Sequence, residues 1–416
     1  MSRVLLVCPE PLGHQHPAGV GIRFLEIARA LRREKHQVIV LSPDAGVIEG
    51  CEAGGVDAVS IRSSSLRSDV ALVQGHIGNE YFAHATEIPT AVDLYDPYVI
   101  ENLHYFKSHG GQVFTHDRQT LLRSMEMGDF FLCASESQRL FYLGMLLACG
   151  RLTPETFTQD STLNTLITIV PFGVQPLAPT RPTDKSVCPT SHRLLFGGIY
   201  DWYEPRLAID AVALARRTIS DLTLTFTYHP NPLTTPQGKS AEALQYVASR
   251  SYGNFVNFQS WVPYAERGSF FDGFGAALIT FRPSLETDLA MRTRIFDFLW
   301  AGLPIISSPA PGTDPILKQY DAGRTAAGNS PEELADAILE ILTVPGLQLQ
   351  ISENARRWAE FHQWPVLLEP FLEFCRNPRT APRREGIPLP DRASSRRPSL
   401  LSRFRRLSGM STRTSS

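Results

Sequence analysis

The chain has 416 residues, of which 43% are hydrophobic and 20% charged, and its formal net charge is −2. At about 150 residues per domain, this length allows two or three domains, each with its own core. The longest apolar runs have the length of strands, well short of the roughly 20 residues of a membrane span. The six cysteines are scattered, without any Cys-x-x-Cys spacing. This pattern argues against a disulfide scaffold or a metal site and favours reduced thiols in a cytoplasmic protein.

The first half of the chain alternates apolar strands with helices. "RVLLVCP" (3–9) predicts a buried strand, and "GIRFLEIARALRRE" (21–34) carries apolar residues at helical spacing. Similar patterns predict further elements: strands at 37–43, 69–75, 89–97, 130–136 and 166–173, and helices at 117–127 and 137–149. Apolar strands separated by helices are typical of a parallel sheet covered on both faces.

The same alternation restarts in the second half, after a stretch at 176–192 that is rich in Pro and Thr and predicts a linker. The patterns that follow predict strands at 193–200, 222–229, 254–259, 275–281 and 303–308, and helices at 205–217, 240–250, 292–301 and 331–342. We therefore expect an α/β protein of two doubly wound domains, 1–175 and 193–348, which face each other across a cleft. Residues 349–375 would return to the first domain. Ligands of such sheets bind beyond the carboxyl ends of the strands.

Charge is unevenly distributed along the chain. Residues 376–416 contain 11 arginines and two acids, a net charge of +9, so the preceding residues carry −11. This segment is also rich in Ser and Pro and has little apolar surface, which predicts a disordered tail. Within it, Leu400, Leu401, Phe404 and Leu407 would share one helical face. The tail is therefore a candidate for peripheral contact with an anionic membrane surface, and the alternative is a solvated end.

Four segments carry a resemblance to a known family: "AGVGIRFLEIARALRREKHQVIVLSP" (18–43), "VPFGV" (170–174), "FGGIYDW" (196–202) and "RPSLETDLAMRTRIFDFLWAGLPII" (282–306). Together they resemble the retaining, family 4-like (group 1) glycosyltransferases of the GT-B fold, over about residues 1–375. The resemblance implies two Rossmann-like domains, a first that binds the acceptor and a second that binds a nucleotide sugar. It also implies an enzyme that transfers a sugar to a glycan, a lipid-linked acceptor or a small molecule.

One acid stands out in the last of these segments. Asp297 lies within an apolar run, where an unpaired charge is costly. The resemblance places it on the acid that accepts hydrogen bonds from the ribose hydroxyls of the donor. The alternative is an acid on a helix face that pairs with Arg292 or Arg294. Asp replaces the family's usual Glu here.

Two other positions of the second domain depart from the family pattern. The family has a first acid eight residues before the second, but Leu289 stands there, and Glu286 is the nearest candidate for this catalytic position. The family also has an Arg and a Lys after the first strand of its second domain, and "GGIYDWYEP" contains neither. Arg282, Arg292 and Arg294 are the available cations for the diphosphate, or else they only pair with nearby acids.

The remaining candidates are glycines and first-domain residues. Gly198 and Gly302 belong to the donor-binding motifs. Gly19 and Gly21 precede a helix and permit close approach of an anion to its N-terminus, or simply form a tight turn. Tyr95 and Asp96 align with a catalytic His-Asp pair of the family. Asp96 and the neighbouring Asp93 would bind acceptor hydroxyls or cap the next helix.

We expect no metal cofactor, because the sequence lacks the Asp-x-Asp that holds a divalent metal in many GT-A enzymes. The expected partners are a nucleotide sugar and a glycan or lipid-linked acceptor, without specific binding of nucleic acid. Two other readings stay open: a nucleotide-sugar epimerase of the same fold, and a nucleotide-sugar-binding protein without catalytic activity. The sequence does not identify the base, the sugar or the acceptor.

Overall fold

Two parallel sheets, each packed against helices, form the core of the part of the chain that the structure describes. A computed structural model describes residues 1–13, 17–85, 88–105, 110–176, 191–228 and 238–381. The first sheet contains β1 (Arg3–Val7), β2 (Gln37–Leu41), β3 (Glu52–Gly54), β4 (Val70–Gln74), β5 (Thr90–Asp93), β6 (Phe130–Cys133) and β7 (Ile167–Ile169). The second contains β8 (Arg193–Gly198), β9 (Thr223–Thr227), β10 (Val256–Gln259), β11 (Ala276–Ile279), β12 (Ile305–Ser307) and β13 (Gly323–Thr325).

Both sheets are doubly wound. Their strand orders are β3-β2-β1-β4-β5-β6-β7 and β10-β9-β8-β11-β12-β13, and neighbouring strands run parallel. In each sheet the order reverses beside the first strand, between β1 and β4 and between β8 and β11. Ligands of doubly wound sheets bind outside the carboxyl ends of the strands at such a reversal. The predicted α/β fold of two doubly wound domains is confirmed.

Helices connect most of these strands. In the first half they are Gly19–Arg33, Ala58–Ser65, Gly78–His84, Tyr98–Glu101, Gly111–Met127, Glu136–Ala148 and Pro154–Gln159. In the second half they are Pro205–Ala215, Gly238–Arg250, Arg267–Phe271, Leu285–Leu289, Thr293–Trp300, Asp314–Tyr320, Pro331–Thr343, Leu347–Phe361, Trp364–Leu367 and Glu369–Arg376. The long amphipathic helices match the sequence pattern, whereas most of the short ones were not predicted.

The edge strands β3 and β13 were also missed by the sequence analysis. Each has three residues, and neither β3 (EAG) nor β13 (GRT) has the continuous apolar run that marks the central strands. An edge strand is paired on one side only and need not be apolar on both faces, so such short segments leave little pattern to detect.

The last helices of the chain pack on the first domain. Phe374 stacks on Phe130 with ring centroids 4.9 Å apart, and Ser2 Oγ donates a hydrogen bond of 2.7 Å to the Cys375 carbonyl oxygen. Beyond them, the Ala381 amide donates to Asp129 Oδ1. Residues 376–381, assigned to the tail from the sequence, are therefore part of the folded unit. Residues 382–416 and the linker segment 177–190 lie outside the described residues, so the predictions of a disordered tail and of its membrane contact stay predictions.

Among the described helices, none is by itself long and apolar enough to cross a membrane.

Gly302 ends the helix Thr293–Trp300 and turns the chain into β12. Its φ is +66°, and a Cβ atom there would lie 2.7 Å from Arg356 Nε on the helix Leu347–Phe361. Gly346, at the start of that same helix, also has a positive φ (+79°), but a Cβ atom there would meet nothing within 4 Å. The two glycines thus share a backbone conformation that is unfavourable for residues with a side chain, and they differ in the space around it.

We expect Gly302→Ala to destabilise the fold more than Gly346→Ala. Both variants place a side chain in the left-handed region, at a cost of about 1–2 kcal/mol, but only Gly302→Ala must also displace Arg356. Urea unfolding of both variants measures the difference. Equal losses of free energy would show that the contact with Arg356 contributes nothing.

Candidate functional site

The segment between the helices Leu285–Leu289 and Thr293–Trp300 joins the two domains at the cleft. Tyr95 Oη, after β5, donates a hydrogen bond of 2.8 Å to the Met291 carbonyl oxygen. Gln138 Nε2 donates to the carbonyl oxygens of Tyr95 and Leu289, both at 2.9 Å. These bonds hold a second-domain segment against the carboxyl ends of β5 and β6, so the side chains that follow Met291 are directed into the cleft with little freedom.

Arg292 is the buried cation at the centre of this cleft. Its guanidinium pairs with Glu286, and its Nη1 lies 3.7 Å from Glu101 Oε1 of the first domain. It also lies over the Trp202 ring, 4.9 Å from the centroid. Of the two alternatives from the sequence, pairing of this arginine with a nearby acid is the one observed.

Arg294 brings a positive charge to the loop after β8, where the sequence has no Arg or Lys. Its Nη1 donates to the carbonyl oxygens of Phe196 (3.0 Å) and Gly198 (2.6 Å), at the end of β8. Gly197 has a φ of +82°, and a Cβ atom there would lie 3.2 Å from the same Nη1. The "GGIY" loop therefore contains no cation of its own but fits closely around one from a helix about 100 residues later.

Asp297 forms an ion pair that the sequence analysis missed. Its Oδ1 accepts a hydrogen bond of 3.0 Å from Arg267 Nε, and no described residue donates to its Oδ2. The guanidinium of Arg267 lies over the rings of Tyr264 and Trp300. The alternative of pairing with Arg292 or Arg294 is wrong, because Arg267 is the hydrogen-bond partner. Burial raises the pKa of Asp297 and Arg267 opposes this, while 21% of the Asp297 side chain stays exposed.

Gly19 and Gly21, which were predicted to approach a bound anion, contact other residues of the chain. A Cβ atom on Gly19 would lie 2.8 Å from Thr293 Cγ2, so two helix N-termini meet across the cleft. The Gly21 amide donates a hydrogen bond of 2.8 Å to Glu10 Oε2. Burial raises the pKa of Glu10 to about 7, and the charge of Asp96 adds to this. The anion that this glycine binds in the structure is therefore an internal carboxylate, which the sequence analysis did not single out.

The acid that ends β5, Asp93, and the acid three residues later, Asp96, have different environments. Asp93 is fully buried and accepts two hydrogen bonds from the guanidinium of Arg23, at 2.6 and 3.3 Å. Asp96 is only partly buried and lies within hydrogen-bonding reach of Glu101. The helix Tyr98–Glu101 begins after Pro97 without a side-chain cap, so the prediction that either acid caps it is wrong. Burial raises the pKa of Asp96 to about 6.

Three other predicted site residues have simpler surroundings. Tyr95 is buried, its hydroxyl is used in the bond to Met291, and burial raises its pKa. Arg282 is exposed, and its side chain has no ion pair or hydrogen bond with the described residues. Gly302 contacts Arg356 and Ser352 on the helix Leu347–Phe361.

Two cavities of the described part lie away from this cleft. One of about 340 Å³ is lined by residues of the helix Asp314–Tyr320 and of β13, and one of about 430 Å³ surrounds the first residues of β1 and β2. The second is at the amino ends of its strands, the opposite edge from the one that binds ligands. The described residues contain no cluster of three or more His, Cys, Asp or Glu side chains arranged to hold a metal ion.

No protein-family model and no curated protein matches this sequence. Solved structures of similar fold do exist. HepE of Anabaena in complex with UDP and glucose aligns with a TM-score of 0.67 and 14% identity, over 91% of this chain and all of HepE. Sucrose-phosphate synthase of Thermosynechococcus elongatus aligns at 0.63 and 12% identity, over 90% of this chain and 98% of the synthase.

A third similar structure is WaaG, a glycosyltransferase involved in lipopolysaccharide biosynthesis. It aligns with a TM-score of 0.63 and 15% identity, over 90% of this chain and all of WaaG. The alignments thus span both sheets of this chain and nearly the whole length of each similar structure. The chain has the GT-B fold, as the resemblance in residues 282–306 implied.

Proposed function

We propose that the chain is a glycosyltransferase that transfers a sugar from a nucleotide-sugar donor to a hydroxyl group of an acceptor. One observation carries the proposal, which is the position of Arg294. Its guanidinium is held at the end of β8 by the carbonyl oxygens of Phe196 and Gly198. It thereby supplies a fixed positive charge at the strand end where the family places its phosphate-binding pair.

Two neighbouring features complete a donor site around Arg294. The helix Thr293–Trp300 starts without a side-chain cap, so the positive end of its dipole would favour an anion. Asp297 lies three residues further along the helix and therefore on the same face. Arg294 and the helix terminus would bind the diphosphate, while Asp297 Oδ2 would accept from the ribose hydroxyls.

The contact with Arg267 supports this role for Asp297. The arginine holds Oδ1 in one orientation and opposes the effect of burial on the carboxyl group, so that the ionised form is available for hydrogen bonding. A carboxylate with one oxygen held and the other open is suited to a diol ligand. Of the three candidate cations, Arg292 is already paired with Glu286, and Arg294 is the one held at the end of β8, so we assign the contact with the diphosphate to Arg294.

In the proposed reaction, an acceptor oxygen forms a bond to the anomeric carbon while the bond from that carbon to the diphosphate breaks. The electron pair leaves on the diphosphate oxygen, which takes up the proton of the acceptor hydroxyl. Arg294 would stabilise the charge that develops on this oxygen, and such fixed electrostatic stabilisation is a major source of rate enhancement. We also propose retention of the anomeric configuration, as the family resemblance implies. NMR of the product tests it.

HepE is described in complex with UDP-glucose, and this makes UDP-glucose the first donor to test. A thermal-shift screen of UDP-, ADP-, GDP- and TDP-glucose identifies the base, since a ligand that binds only the folded state raises the melting temperature. Release of nucleotide with formation of a new glycoside separates a transferase from an epimerase or a binding protein. If none of these donors binds, the screen is extended to nucleotides that carry other sugars, and absence of binding for every nucleotide sugar would show that the proposed function is wrong.

We expect Asp297→Asn and Arg294→Ala each to weaken binding of the donor found in the screen by about tenfold to a hundredfold. A hydrogen bond to a charged group contributes about 1.5–3 kcal/mol, which corresponds to this range. Titration calorimetry of folded variants gives the affinities. Asp288→Asn and Arg357→Ala, at exposed positions, are the matched controls. Unchanged affinity in Asp297→Asn would remove the ribose assignment.

We expect transferase activity to persist in EDTA, because the proposed site neutralises the diphosphate with Arg294 and a helix terminus, and the sequence has no Asp-x-Asp. The assay compares initial rates with EDTA alone and with added magnesium or manganese. Loss of activity in EDTA that either metal restores would contradict the proposal of a metal-independent site.

We expect the free energy of unfolding to fall as the pH rises, because burial raises the pKa of Glu10 in the cleft. The pKa of Glu10 is raised from 4.5 to about 7, so the folded state holds this proton more tightly than the unfolded chain does. Its stabilising contribution is then complete below about pH 4.5 and is lost as the pH rises to 7. At about 1.4 kcal/mol per pKa unit, the loss is about 3 kcal/mol.

Urea unfolding of the wild type and of Glu10→Gln between pH 4.5 and 7.5 measures this loss. Glu10→Gln removes the titrating group, so its free energy of unfolding should fall less over this range. Asp288→Asn should follow the wild type. Parallel curves for the wild type and Glu10→Gln would show that folding does not change the pKa of Glu10.

A further inference from the structure

The first-domain side of the cleft is acidic where it faces Arg292. Asp96 and Glu101 lie within hydrogen-bonding reach of each other, and Glu101 Oε1 is 3.7 Å from Arg292 Nη1. Glu286 pairs with the same guanidinium from the second domain. Three carboxyl groups thus share one guanidinium, which can neutralise only one of them. Arg294, the next cation of the cleft, is held at the end of β8 and belongs to the proposed donor site.

Polar atoms in this cluster have unused hydrogen-bonding capacity. Glu286 is 1% exposed, and its Oε2 is buried without a hydrogen-bond partner among the described residues. Arg292 Nε and Trp202 Nε1 are also buried without a partner there. An unsatisfied buried polar group costs about 1–3 kcal/mol. Glu286 Oε2 could accept a hydrogen bond, and Arg292 Nε and Trp202 Nε1 could each donate one. These unpaired atoms therefore indicate a place for a ligand that can both donate and accept hydrogen bonds.

Aromatic rings form another side of the same region. The Trp202 ring stacks on Tyr200 with centroids 4.9 Å apart, and Tyr105 meets Trp202 edge-on at 6.4 Å. Aromatic rings attract cations through their negative faces, and Trp202 already contacts Arg292 in this way. Rings and carboxylates together favour a positive charge and disfavour a negative one.

We propose that the acceptor is a hydroxyl-bearing amine, whose ammonium group binds between Asp96, Glu101 and Glu286 beside Trp202. This inference rests on the proposed function, since it assigns the substrate class of the same cleft. A sugar or cyclitol with an amino group has the required chemistry. Its ammonium group would supply the missing counter-charge, and its hydroxyl groups would pair with the unsatisfied atoms.

The ionisation of the carboxyl groups agrees with this arrangement. Burial raises the pKa of Asp96 to about 6, and burial together with the charge of Asp96 raises the pKa of Glu101 well above its usual range. Burial is the largest cause of both shifts, and the charge of Arg292 lowers both pKa values without cancelling the effect of burial. An ammonium group at this place would stabilise the ionised forms, whereas an acidic acceptor would add to the repulsion.

Three methyl glycosides of one ring size test the proposal at constant shape: methyl α-D-glucosaminide carries an ammonium group, methyl α-D-glucoside is neutral, and methyl α-D-glucuronide carries a carboxylate. Their affinities for the full-length protein are measured by NMR titration at pH 7 in the presence of UDP. We expect the glucosaminide to bind at least tenfold more tightly than the glucoside, and the glucuronide to bind most weakly. Equal affinity for the first two, or tightest binding of the glucuronide, would overturn the inference.

Substitutions of single glutamates test which carboxyl group causes the preference for the ammonium glycoside. Glu101→Gln should reduce the advantage of the glucosaminide over the glucoside about tenfold, with little effect on the glucoside itself. Glu136→Gln, at an exposed glutamate of the same domain, should leave the advantage unchanged. A preference that survives in Glu101→Gln would overturn the inference. So would binding of Mg²⁺ that depends on Glu101 while the glucosaminide does not bind.

The separate measurement of donor binding distinguishes the two proposals. Donor binding and nucleotide release without a preference for the ammonium glycoside would leave the proposed function intact and remove only the inference about the acceptor. Absence of binding for every nucleotide sugar would remove the proposed function itself.

Discussion

The buried guanidinium of Arg292 is the group around which the cleft is organised. A charge in this position requires partners, because an unpaired buried ion is very costly. The partners come from both domains, Glu286 from the second and Glu101 from the first. The residues just before Arg292 also accept hydrogen bonds from Tyr95 and Gln138 of the first domain. The contacts that pair the charge of Arg292 therefore lie among those that hold the two domains together.

This arrangement divides the charges of the cleft between its two sides. The end of β8 has Arg294 and an uncapped helix terminus, which suit an anion. The first-domain side has Glu10, Asp96 and Glu101, whose pKa values are raised mainly by burial, and the charge of Asp96 adds to the shifts of Glu10 and Glu101. An anionic donor and a cationic acceptor would therefore be drawn to opposite sides, with the bond to be broken between them. Electrostatics thus provides orientation as well as affinity.

The glycines of the cleft show how backbone and side chains depend on each other. Gly197 leaves room for Arg294 beside the β8 strand, and Gly19 lets two helix termini approach. The contact between Gly197 and Arg294 brings a positive charge from the helix Thr293–Trp300 to a loop that contains no Arg or Lys. The chain therefore has a cation at the end of β8 although the loop there contains none.

The sequence by itself determined the two doubly wound sheets, because continuous apolar strands and helical periodicity are local patterns that survive without any knowledge of contacts. It also singled out Asp297 from its position in an apolar segment, and the family resemblance pointed to Arg294 and Glu286 as candidate site residues. The short edge strands β3 and β13 and most of the short helices were not predicted, since three to eight residues carry too little pattern.

Only the tertiary structure decided which charges meet. Arg267 is 30 residues from Asp297, and Glu101 is 191 residues from Arg292. No spacing rule links such pairs, because their contact depends on how helices and domains pack. The same holds for Glu10, whose bond to Gly21 is formed only when the loop after β1 folds back onto the next helix. The pKa of each of these carboxyl groups depends on its burial and on the charges next to it, and both are properties of the folded chain.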